Sequence, residues 1–85
     1  MEALVFDTYV KNKQGRLMHF DIVVPKNTKE ENVLSFGKEW LQKRGEEVVQ
    51  FTTNECRFCH IEQATEEMTL NFNAHGYHII EMEGC

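Results

Sequence analysis

Eighty-five residues make one small domain, spanning 1–85, near the small end of what folds without help. With 41% hydrophobic and 27% charged residues, no low-complexity stretch and apolar runs of about four residues at most, it reads as globular and excludes a membrane-spanning helix; no membrane is an expected partner. The net charge of −5, with the nine bases scattered along the chain, excludes a basic phosphate-binding surface, so no nucleic acid is an expected partner either.

The chain starts "MEALVFDTYVK", with acids where a signal peptide needs bases and a longer apolar run. Export is therefore not expected. The three cysteines are expected as reduced thiols in the cytoplasm. "ALVFDTYV" (3–10) and "LMHFDIVV" (17–24) are rich in β-branched and aromatic residues and predict two strands. Between them, Asn12 suits the first position of a type I turn and Gly15 the left-handed position after it. That chemistry predicts a three-residue hairpin loop with Asn12 opposite Arg16. Val10 then faces Met18, Thr8 faces Phe20 and Phe6 faces Ile22, forming a core face.

Pro25 ends the second strand because it has no N–H for the ladder. Thr28 and Glu31 have capping-box spacing and predict a helix to about Arg44, stopped by Gly45. Val33, Leu34, Trp40 and Leu41 form its apolar stripe, with Phe36 at the edge. Gly37 within the stripe costs about 1 kcal/mol against alanine, which points to close packing on the sheet. Strands are expected at 46–51 and 58–64, a helix capped by Thr65 and ended by Gly76, and a last strand at 77–83. The order ββαββαβ predicts an α+β, two-layer sandwich: a five-stranded mixed sheet with two helices.

"ECRFCHIE" places Cys56 and Cys59 three apart, with His60 following. Two such thiolates can share a zinc or other soft metal, and two further ligands must come from elsewhere. Cys85 and His60 are candidates, with His19, His75 and His78 behind them. An extended strand here would point Cys59 and His60 to opposite faces. A dithiol redox pair is a second reading, though too few residues separate Cys59 from Thr65 for a thioredoxin-type helix. The string also matches a c-type haem attachment site, which requires export. Two cysteines buried in the core are the plain alternative.

The hairpin register also sets Asp7 opposite Asp21 and Tyr9 opposite His19 on the face away from the core. Facing carboxylates repel, which raises one pKa and makes an acid–base group, or an oxygen–nitrogen metal site with His19. A five-residue loop would instead put Asp7 opposite His19.

Together, "DTYVK", "MHFDIVVP", "ECRFCHIE" and "GYHIIEMEGC" resemble a small bacterial family known only as a domain of unknown function, numbered 2024. The resemblance covers nearly the whole chain and implies a compact α/β domain. It brings no activity, substrate or partner. It places Cys56, Cys59, His60 and Cys85 within family motif segments. The resulting expectation is a non-catalytic cytosolic module with a zinc or soft-metal site on Cys56, Cys59, Cys85 and His60. The alternative is a small enzyme using the Cys56/Cys59 dithiol or an Asp7/His19/Asp21 acid–base cluster. Monomer and homodimer both remain open.

Overall fold

A computed structural model describes residues 1–85. β1 (Glu2–Lys11) and β2 (Leu17–Pro25) form the hairpin, in the register that the turn chemistry predicts. Asn12 Oδ1 accepts the Arg16 N–H at 2.8 Å, and Gly15 takes φ +87°, closing the loop. Then follow α1 (Glu30–Lys43), β3 (Cys56–Gln63), α2 (Glu66–His75) and β4 (His78–Glu81). No helix is long and apolar enough to cross a membrane.

The sheet corrects the expectation of five mixed strands. It has four strands in the order β3-β1-β2-β4, and every pairing is antiparallel. The segment expected as a strand at 46–51 makes a single bridge, Val48 to Asn12. Its backbone bonds to Lys11 and Lys13, at the end of the β1 edge whose remaining length β3 occupies. Both segments share the β1 edge end to end, so 46–51 has no further length of β1 to pair with.

The two layers also become three. The even-numbered side chains Phe6, Val10, Met18, Phe20, Ile22 and Val24 pack against Val33 and Leu41 of α1. Ala3, Val5 and Val23 pack on the other face, against Met68 and Phe72 of α2. The helices therefore sit on opposite sides of the sheet.

Gly37 bears out the close-packing reading: a Cβ there would lie 2.8 Å from Ile22 Cδ1 and collide with Phe51. Thr28 does not cap α1. Its N–H is used in a turn back to the Pro25 carbonyl, and the helix begins one residue after Lys29 with no side-chain cap. Gly45, at φ +71°, ends it as expected: Gly45 N–H donates to Gln42 O and Glu46 N–H to Leu41 O. Thr65 caps α2, its Oγ1 accepting the Met68 N–H at 3.1 Å, and Gly76 at φ +90° stops it.

Candidate functional site

Odd-numbered residues of the hairpin face away from α1. At one end of that face α2 covers Ala3, Val5 and Val23. The next rows, Asp7 opposite Asp21 and Tyr9 opposite His19, lie beyond its contacts. Sheet order then separates the two aspartates. Asp7 is paired with Arg57 of β3 on its far side, while Asp21 is paired with Ile80 of β4. Arg57 makes no ion pair with Asp7, and Asp21 is only 8% exposed.

His19 Nε2 lies 2.8 Å from Asp7 Oδ1, and the Tyr9 ring stacks on the imidazole at 4.0 Å between centroids and 11° between planes. That hydrogen bond holds the Asp7 carboxyl below the usual carboxylate range. Burial first, and the facing Asp7 second, push Asp21 up to about 6. Asp21 Oδ1 is buried without any hydrogen-bond partner. One ligand atom each from Asp7, His19 and Asp21 lies within 4.8 Å of the others. The group can share a proton between two carboxyls or accept a cation from the open side of the sheet.

The cysteine segment is arranged differently. Cys56 is buried opposite Thr8, whose Oγ1 lies 3.5 Å from its sulfur, on the α1 side of the sheet. Burial raises its pKa. The alternation expected across Cys59 and His60 is broken by a β-bulge. Phe58 pairs with Phe6, His60 pairs with Val5, and Cys59 is the extra residue between them, exposed to solvent. Cys56 and His60 consequently lie on opposite faces. His60 Nε2 engages Glu62 at 2.6 Å. Cys85 Sγ lies 3.6 Å from the His19 carbonyl, at the margin of the core under α1. No three of Cys56, Cys59, His60 and Cys85 bring ligand atoms within 4.8 Å of one another. Of the other histidines considered, His78 Nδ1 is held by Asn71 at 2.7 Å and His75 lies against Tyr77.

Sequence reasoning missed Ile80 as the neighbour that closes off Asp21. A last strand is legible in "YHIIEME", but nothing local marks β2 as its partner. The three surface cavities lie elsewhere. One of about 370 Å³ is lined by residues including Trp40, Asn71, Tyr77 and His78. Another of about 370 Å³ lies at the hairpin loop between Arg16, Arg44 and Glu46, and one of about 330 Å³ lies beside Leu41 and Val48.

The sequence profile of DUF2024, described as a domain of unknown function, matches residues 1–82. An NMR structure of protein NE1680 from Nitrosomonas europaea, a structural-genomics target, is 44% identical. The alignment covers 100% of this chain and 99% of that one, with a TM-score of 0.87. No match is found among curated proteins.

Proposed function

Because the chain belongs to the DUF2024 family, a domain of unknown function, we propose its role from the site itself: a non-catalytic module that binds one divalent cation on Asp7, His19 and Asp21. The observation that carries this reading is the buried, unpartnered Asp21 Oδ1. A buried acceptor without a donor costs about 1–3 kcal/mol, and a cation between the two carboxylates would remove that cost along with their repulsion. Two oxygens and one imidazole nitrogen suit Mn²⁺ or Zn²⁺ better than a soft ion. The open sheet face leaves further coordination positions to water. The three unpaired cysteines support the cytoplasmic reading.

One observation favours a second reading. Asp7 is held low and Asp21 high, and environments that push two pKa values apart are the signature of an acid–base pair.

The test is Mn²⁺ titration by calorimetry at pH 7.5, with paramagnetic NMR broadening to locate the ion. Mn²⁺ avoids competition from thiols. Stoichiometric binding in the micromolar range is expected, with broadening centred on Asp7, His19 and Asp21 and loss of binding in Asp21→Asn. Broadening centred anywhere else, or no binding at millimolar Mn²⁺, would overturn the assignment.

A further inference from the structure

β3 lies at one edge of the sheet, and after Cys56 every residue in it is exposed. Two of these are large and apolar: Phe58 is 51% exposed and Ile61 49%. In a regular strand, residues three apart point to opposite faces. The bulge at Cys59 alters this, because Phe58 is paired with Phe6 and Ile61 with Leu4, both on the α1 side. Arg57 and Glu62, paired with Asp7 and Ala3, lie together on the opposite face.

The backbone bonds on either side of the bulge fix which groups are free. Tyr9 N–H donates to Glu55 O, and Ala64 N–H donates to Met1 O, so residues 55 and 64 face β1. By the alternation of an antiparallel ladder, Phe58 and Ile61 turn their N–H and C=O groups outward, away from β1.

We infer that β3 pairs antiparallel with β3 of a second copy of this chain, about a two-fold axis through the Cys59–His60 bulge. Phe58 then exchanges backbone hydrogen bonds with Ile61 of the other copy, and Ile61 with Phe58. Their side chains meet on the α1 face. On the other face Arg57 lies opposite Glu62 of the second copy, and Glu62 opposite Arg57. Arg57 has no ion pair within its own chain. A bulge usually spoils an edge for pairing, but in this two-fold register Cys59 and His60 of one copy lie opposite His60 and Cys59 of the other, so both strands have the same number of residues between Phe58 and Ile61. The segment "CRFCHIEQ" is self-complementary about its centre in charge and in apolarity, and the two four-stranded sheets join into one continuous sheet.

Sedimentation equilibrium over micromolar to submillimolar protein tests the association, and charge exchange tests its register. Arg57→Glu and Glu62→Arg should each weaken dimerisation about tenfold, since two symmetric pairs become like-charged, and the double exchange should restore it. Circular dichroism checks that each variant folds. Amide exchange by NMR gives an independent readout: the Phe58 and Ile61 amides should gain protection as concentration rises. A monomer throughout the range overturns the inference. So does a double variant no better than the singles, or a dimer that leaves those two amides unprotected.

Discussion

Asp7 and Asp21 stand directly opposite one another on neighbouring strands, yet they occupy different environments. Asp7 has His19 at 2.8 Å, whereas Asp21 is enclosed by β4 and keeps one oxygen without a donor. A sheet face that contains such a pair spends stability on it, and the cost depends on pH.

Asp21 binds its proton more tightly in the folded chain, at about 6 against an ordinary value of 3.8. Its contribution to stability is therefore complete below about pH 3.8 and is lost as pH rises through 6. Two pKa units correspond to at most about 3 kcal/mol, and solvent on the open side reduces this to about 1–2 kcal/mol. The opposite contribution of Asp7, lost as pH falls, rests mainly on His19, which both proteins keep. Urea unfolding of metal-free protein at pH 4 and pH 7.5 should show Asp21→Asn gaining about 1–2 kcal/mol on the wild type over that interval. Parallel stability curves would mean that Asp21 titrates normally.

Gly37→Ala sets helix propensity against packing. Alanine favours the helix by about 1 kcal/mol, but its Cβ would meet Ile22 and Phe51, and overpacking typically costs about 1–3 kcal/mol. A net loss of about 1 kcal/mol is expected in thermal or urea denaturation. A stabilised variant would show that Phe51 moves aside easily.

Thr65→Ala removes the hydroxyl that accepts the Met68 N–H at the start of α2 and should cost about 1 kcal/mol. Thr65→Ser keeps the acceptor and should lie within about 0.5 kcal/mol of wild type. Equal losses in the two variants would assign the effect to the methyl group instead.

Cys56 is buried beside Thr8 and its thiol is pushed up by that burial. Its reaction with a disulfide reagent should track global unfolding, slowing as stability rises. Rapid labelling of Cys56 under native conditions would contradict the packing of β3 on β1.

The hairpin was legible because Asn12 and Gly15 settle the loop length locally, and one loop fixes every pair along two strands. The facing of Asp7 and Asp21 came with it. The burial of Asp21 did not, because it depends on β4 returning beside β2 across the length of the chain. The strand expected at 46–51 failed for a similar reason: Val48 and Val49 have strand character, but β3 already occupies most of the β1 edge. Thr28 had the spacing of a cap and was taken up by the turn after Pro25. The apolar stripe located α1, and Thr65 and Gly76 bounded α2, without indicating that the two would cover opposite faces.

The bulge at Cys59 also has a consequence for chain length. Deleting Arg57, for example, would move Phe58 opposite Asp7 and onto the other face before the bulge absorbed the gap. Deleting Cys59 would not: Arg57 and Phe58 keep Asp7 and Phe6, while His60, Ile61 and Glu62 keep Val5, Leu4 and Ala3. Position 59 is thus a place where this strand can shorten without disturbing the order of faces, because the ladder does not require the extra residue there.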